Sequence, residues 1–269
     1  MRMATLDEAL ADKGARHILS FSGGKDSTAL AVWLLENRPE AKFEFVFCDT
    51  GVELPETYAY IRRFEAIFGV SVTKLNALDL LGVKEKRDRN PFDVFLKEYY
   101  GSFMPSPQAR WCTRILKIKP FEVHIGKDKA YSYIGIRGDE DREGYIQRKP
   151  VVLSEEPNII PVYPFKEAGL GLRDIVAILE DCGLGVPPYY SWRSRSGCYF
   201  CFYQAIGEWQ GLKENHPDLF EKAKAYEKIE GGWPYTWAEG RSLEDIEKLE
   251  RRYDVADGLE LDGCAICHL

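Results

Sequence analysis

Short apolar runs alternate with longer amphipathic stretches through the first 165 residues. Ile18 to Phe21 has strand length, and Ser22-Gly23-Gly24 follows it as a tight turn. Lys25 to Asn37 then places Ala29, Leu30, Val32, Trp33 and Leu34 on one helical face. Phe43–Cys48 and Val70–Leu75 read as further strands, with a helix over Leu54–Phe68 that starts at Pro55. Ala130–Ile136 and Ile159–Val162 supply a fourth and a fifth strand. Helices are predicted over residues 5–14, Pro91–Tyr99 and Leu172–Asp181, the last ending at Gly183, and over His216–Ile229 and Leu243–Tyr253, the last capped by Ser242. Strands separated by helices imply parallel pairing with right-handed crossovers, hence an α/β sheet flanked by helices. An α-helical region follows it. Ligands of such sheets sit outside the carboxyl ends of the strands, at the switch point. Ser22–Ser27 and Asp49–Gly51 both fall at such ends.

Composition narrows this picture. A chain of 269 residues with 45% hydrophobic content suits one large α/β domain with a smaller appendage. We divide it at residues 1–165 and 166–269. The net charge of −7 argues against a general basic coat for nucleic acid, although a local groove is compatible with it. No long uncharged apolar run or secretory leader is seen, so a cytoplasmic protein without a membrane span is expected. Seven cysteines without a leader point to a reducing compartment and to metal or redox chemistry rather than a disulfide frame.

The turn after the first strand carries the clearest chemistry. Two adjacent glycines let backbone N–H groups approach an anion at a helix N-terminus, and Lys25, Ser22 and Ser27 add donors. The Walker A spacing is absent. The string Ser22-Gly23-Gly24-Lys25-Asp26-Ser27 resembles the PP-loop of the ATP pyrophosphatases, which cleave ATP between the α- and β-phosphates. That resemblance implies an adenine nucleotide α-hydrolase-like sheet and a site for ATP and Mg²⁺ formed by Ser20, Phe21 and the six loop residues. Lys25 and Asp26 would be catalytic.

Three further segments resemble the PAPS-reductase branch of that superfamily. Asp49-Thr50-Gly51 with Pro55-Glu56-Thr57 follows the second strand. From the residues alone, Asp49 suits a ribose, an adenine, a magnesium ion, or a turn or helix cap. Gly135-Ile136-Arg137 leads to Glu140 and Arg142, and Arg137 is expected to grip phosphate. Arg110-Trp111-Cys112-Thr113-Arg114 precedes Leu116-Lys117 and Pro120. Taken alone, Cys112 reads as a small buried apolar residue.

Cys198 and Cys201 form one Cys-x2-Cys pair, and Cys264 and Cys267 form another. Two such pairs can close a four-thiolate site, for zinc or for an iron–sulfur cluster. In cluster-bearing members of the branch, an early cysteine joins a later Cys-x2-Cys. The resemblance therefore implies a [4Fe–4S] cluster on Cys112, Cys198, Cys201 and Cys267, with zinc as the alternative. Cys264 is then the catalytic cysteine. Which of Cys264 and Cys267 takes which role stays open, and His268 beside them would favour a thiolate. Lys84, Lys86, Arg87 and Arg89 read either as a solvated face or, with Arg110, Arg114, Lys117, Lys119, Arg193 and Arg195, as a polyanion groove. Trp209, Trp233 and Trp237 read as core, and His17 and His124 as structural.

Among enzymes of this type the motifs look most like those of DNA phosphorothioation, which replace a backbone oxygen by sulfur. That implies DNA as substrate, a cysteine desulfurase as sulfur donor, and other subunits of a modification complex. Transfer-RNA thiolation, reduction of PAPS or APS with thioredoxin, and a non-catalytic nucleotide-binding role are the alternatives.

Overall fold

The computed structural model describes residues 3–141, 158–228 and 234–250. Five strands form one parallel sheet in the order β3-β2-β1-β4-β5: β1 is Arg16–Ser20, β2 Glu44–Asp49, β3 Val72–Asn76, β4 Ala130–Tyr133 and β5 Ile159–Val162. The order runs outward from β1 in both directions, so the switch point lies between β1 and β4. The expected fold is therefore present.

Alternation along the strands sorts the core into two faces. Leu19, Phe21, Phe45, Phe47, Tyr131 and Tyr133 meet helices α2 (Lys25–Asn37), α3 (Pro55–Phe68) and α9 (Leu172–Asp181). Ile18, Val46, Cys48, Leu75 and Ala130 meet Phe121 and Ile125 of α7 (Lys119–Ile125). Helix α1 (Leu6–Ala11) is capped by Thr5 and Glu8 in both directions, and the short helices α4 (Ala77–Leu80), α5 (Pro91–Val94), α6 (Trp111–Thr113) and α8 (Pro164–Ala168) lie in the connections.

A third apolar cluster lies beyond the sheet. It joins the stretch from Val52 to Leu116 to the helices α10 (Ile206–Asn215), α11 (Pro217–Lys224) and α12 (Leu243–Glu247). Phe92, Trp111, Phe200, Trp209 and Trp237 are its large members.

Several boundaries differ from the sequence reading. The fourth strand ends at Tyr133, not Ile136. Gly135 leaves the sheet against the start of α2, where a Cβ would stand 2.8 Å from the Asp26 carbonyl oxygen. The Pro91–Tyr99 helix is α-helical to Val94 and π-helical from Phe95 to Tyr99. A second π turn, Arg114–Ile118, joins a short helical turn at Trp111–Thr113 to α7. Helix α11 stops at Lys224, and Lys228 pairs with Tyr235 across a β-bridge instead of extending it. Helices α7 and α10 were not anticipated. The last predicted helix is seen from Leu243 to Glu247, and its end falls outside the described residues.

Candidate functional site

The loop after β1 is built as the turn chemistry requires. Gly23 has φ +70°, a conformation that favours glycine. Gly24 is the N-cap of α2. The Ser22 amide donates to Ser27 Oγ at 3.1 Å, and the Gly24 amide donates to Ser22 Oγ at 3.3 Å. Ser27 Oγ donates back to the Gly24 carbonyl at 3.2 Å. The two serines thus brace the turn from inside.

Lys25 and Asp26 are almost wholly buried, and Lys25 Nζ donates to Asp26 Oδ2 at 3.0 Å. Burial pulls the Lys25 ammonium below the usual lysine range, and Asp26 opposes that pull. Arg137 reaches the same carboxylate, its Nη1 lying 3.1 Å from Asp26 Oδ1. It also contacts Asp139 at 2.8 Å and Glu140 at 2.7 Å. Asp26 therefore holds two cations at the mouth of the loop. Arg137 belongs to the loop's charge network, through Asp26.

The second strand end sits beside the first. Asp49 Oδ1 accepts from the Gly51 amide at 2.9 Å and from Tyr58 Oη at 2.7 Å, a turn-bracing role. Gly51 has φ +74°. Thr50 Oγ1 donates to Glu53 Oε1 at 2.9 Å and lies 3.5 Å from Cys198 Sγ. Phe21 turns its ring into the core, 4.7 Å from that of Phe64, so its share in any nucleotide contact is backbone. Ser20 is the last residue of β1.

Cys112, Cys198 and Cys201 converge on one cavity, together with Thr50, Lys117 and Trp237. A second cavity, lined by Ser22, Cys48, Glu53, Lys117, Ser196 and Gly197, adjoins the loop. Lys117 lines both. Its ammonium lies 3.9 Å from Glu53 Oε1, and Cys198 Sγ lies 3.9 Å from the same oxygen. Burial pushes the Cys112 thiol up to about 11; Cys201 adds to the rise and Lys117 opposes it. Burial also raises Cys198, with Glu53 adding to it. Such thiols are neutral until a cation compensates their charge. Soft donors of that kind suit a thiophilic metal or cluster. Among the described residues, no three His, Cys, Asp or Glu side chains lie close enough to hold a metal ion. Cys264, Cys267 and His268, like Arg142 and Trp233, lie outside the described residues.

Sequence reasoning passed over Glu53 and Glu208 and read Arg193 in another role. Glu53 is a charge between Val52 and Leu54, an apolar setting that signals a buried role. Glu208, also buried, accepts from the Ser194 amide at 2.5 Å, Ser194 Oγ at 2.6 Å and the Ala205 amide at 2.7 Å. Fully buried Arg193 donates to the carbonyls of Gly197 at 3.1 Å and Cys198 at 2.6 Å. It braces the cysteine turn and is removed from the expected polyanion groove. Lys86 and Arg89 both pair with Glu98, which partly neutralises that stretch.

The profile of the phosphoadenosine phosphosulfate reductase domain matches residues 16–204, from β1 through the Cys198–Cys201 pair. The chain belongs to that family. The chain is similar to two uncharacterized proteins of Methanocaldococcus jannaschii. One is 28% identical over 76% of this chain and 45% of its own length, the other 26% identical over 76% and 40%. An uncharacterized nin region protein of Escherichia phage lambda is 31% identical over 47% of this chain and 49% of its own. The chain thus spans about half or less of the length of these relatives. Among solved structures, it is similar to a phosphoadenylyl-sulfate reductase from Candida auris in a phosphate complex. That match has TM-score 0.48 and 12% identity and covers 70% of this chain and 83% of the other. It is also similar to the U34-tRNA thiolase NcsA from Methanococcus maripaludis with its [4Fe-4S] cluster, at TM-score 0.47 and 16% identity over 98% and 83%. No described helix is long and apolar enough to cross a membrane.

Proposed function

We propose that this reductase-domain protein is an ATP pyrophosphatase that adenylates an oxygen of nucleic acid and replaces it by sulfur, with a DNA backbone phosphate as the favoured acceptor. One observation carries the reading: an intact Ser-Gly-Gly-Lys-Asp-Ser loop at the switch point, with Lys117 lining both the cavity beside it and the cavity of three cysteines. The acceptor oxygen attacks the α-phosphorus of ATP, and the bond to the β-phosphate's bridging oxygen breaks. Pyrophosphate leaves, and AMP is left on the acceptor. The terminal sulfur of a persulfide carrier then displaces AMP, which leaves the acceptor joined to the carrier through an S–S bond. A second thiol attacks the carrier sulfur and breaks that bond. Sulfur thus replaces the activated oxygen, and the carrier and the thiol leave as a disulfide.

Lys25 and the loop amides stabilise the charge that develops on the leaving phosphates. Asp26 holds Lys25 and Arg137 in place for that task. Mg²⁺, when bound with ATP, neutralises phosphate charge. Cys112, Cys198, Cys201 and Cys267 would hold a [4Fe–4S] cluster, or zinc, with Cys264 as the sulfur-carrying thiol. The cluster, when bound, supplies a site for sulfide. A cysteine desulfurase is the natural donor, and partner subunits would supply the DNA affinity that a net charge of −7 does not.

The family itself favours a second reading, reduction of PAPS or APS to sulfite with thioredoxin. Transfer-RNA thiolation stands near the first. The deciding assay follows pyrophosphate release from ATP by anaerobically purified protein with a persulfide donor, offering DNA, transfer RNA and sulfate separately. Pyrophosphate and AMP formed with DNA, with sulfur retained in the DNA, is the expected result. The same outcome with transfer RNA moves the assignment to base thiolation. Sulfite from PAPS and thioredoxin without ATP cleavage gives it to the reductase. Nucleotide binding without turnover of any kind leaves a non-catalytic partner.

A further inference from the structure

The segment from Pro187 to Cys201 touches the nucleotide loop at one end and carries the cysteine pair at the other. Tyr189 and Tyr190 lie in a short helical turn, Pro188–Ser191, and both are buried. Tyr189 Oη donates to the Gly23 carbonyl at 3.0 Å. Tyr190 makes a different contact: the Lys25 amide donates to its Oη at 3.3 Å. The Lys25 ammonium also sits 5.0 Å from the centre of the Tyr190 ring. Further along the segment, Ser196 Oγ lies 3.4 Å from Ser22 Oγ. A Cβ on Gly24 would stand 2.6 Å from Ser196 Oγ and 3.1 Å from Tyr190 Oη. Arg193 then ties this stretch to the Gly197 and Cys198 carbonyls.

The first-turn amides of α2 are the groups an anion would use. One of them is already engaged by a phenol oxygen from the cysteine-bearing segment. We propose that Tyr190 is a positioning residue: it occupies the Lys25 amide until a nucleotide phosphate replaces it, and its departure shifts Ser196–Cys198. Nucleotide occupancy is thereby reported to the cysteines. The inference rests on the nucleotide reading of the loop and adds to it a residue and a direction of coupling.

The sign of the effect separates this role from a merely structural one. A competitor for an anion-binding donor lowers apparent affinity by the fraction of time it occupies that donor. Tyr190→Phe removes the oxygen and keeps the ring under Lys25. It should tighten ATP binding about three- to tenfold, the worth of one hydrogen bond. Tyr189→Phe, which leaves the Gly23 carbonyl without its donor and frees no amide, should bind ATP equally or more weakly.

The test measures affinity for ATP and for inorganic pyrophosphate by calorimetry, with hydrogen–deuterium exchange on the same full-length samples. Wild-type protein should show protection of residues 22–27 on binding, together with altered exchange over residues 194–198. In Tyr190→Phe the nucleotide-free exchange over 194–198 should already resemble the bound state. Affinity that is unchanged or weaker in Tyr190→Phe overturns the proposal. So does loop protection in both forms without any change over 194–198, an outcome that leaves the nucleotide reading intact. No protection of 22–27 by either anion in any form overturns the nucleotide reading, and this proposal with it.

Discussion

In the proposed reaction, Lys25 is the residue on which the loop's chemistry turns. Its ammonium is desolvated and held by Asp26, so its charge acts at short range in a poorly screened setting. Lys25→Ala should lower pyrophosphate release about 10²–10³-fold or more, the usual loss when one such stabilising donor is removed. The metal content should be unchanged. Full residual turnover would remove the loop from the mechanism. The cysteine cavity makes an independent prediction. Cys198→Ser should lower the iron bound by anaerobically purified protein, measured by metal analysis and by the visible absorption of the cluster. Iron content equal to wild type would take Cys198 off the ligand set.

At the scale of elements, the close pass of β4's end over the start of α2 sets the loop's position. A Cβ on Gly135 would meet backbone, which cannot rotate away. Gly135→Ala should destabilise the fold by about 1–3 kcal/mol, as overpacking does, and weaken ATP binding. Calorimetric melting and nucleotide titration check both. Strand β1 carries a pH-sensitive group. His17 stacks on Tyr131 with ring centres 5.7 Å apart, its Nδ1 lies 2.8 Å from Tyr133 Oη, and burial lowers its pKa from the usual 6.5. The unfolded chain takes up that proton first. The contribution is therefore fully present above about pH 6.5 and is lost as pH falls through the window down to the folded value. His17→Phe should flatten the dependence of the denaturation midpoint on pH below about 6.5. A slope identical to wild type would exclude His17 as its source.

These elements also show what the sequence made legible. All five strands and helices α2, α3 and α9 follow from apolar periodicity, and the glycines locate the turns. The π turns do not follow, because an extra residue per turn leaves no mark in a helical pattern. Helix α10 was missed because its apolar residues are few and Glu208, a polar residue, is buried in it. At the site, the loop residues were evident from local spacing. Glu53 and Tyr190 were not, and Lys117 was legible only as one of a set of basic residues, since their roles arise from contacts between segments far apart in the chain.

Among the described residues, the apolar cluster that joins Val52–Leu116 to α10, α11 and α12 ties residues 206–247 to the chain's middle. The division at residues 165 and 166 is a proposal that truncation tests. A chain ending at Gln204 retains the family match but loses Trp209, Phe220, Trp237 and Ile246 from that cluster. It should fail to give a single cooperative melting transition and should aggregate on size exclusion. Trp237→Ala is the milder case. It removes a ring stacked on Phe200 at 4.9 Å and a donor to the Ala223 carbonyl at 2.9 Å, and should cost about 3–5 kcal/mol. A melting temperature within a degree of wild type would show that the cluster is dispensable.

The contact of Tyr189, Tyr190 and Ser196 with the loop also orders events in time. During synthesis the ribosome finishes Ser22–Ser27 early, yet β1 must wait for its partner β4, more than a hundred positions later. The loop's own neighbours arrive later still, with the segment that brings Cys198 and Cys201. A nascent or interrupted chain therefore carries Ser22–Ser27 without the walls around it. The loop is thus enclosed only once Cys198 and Cys201 have been made, so its finished form and the cysteine pair arrive together.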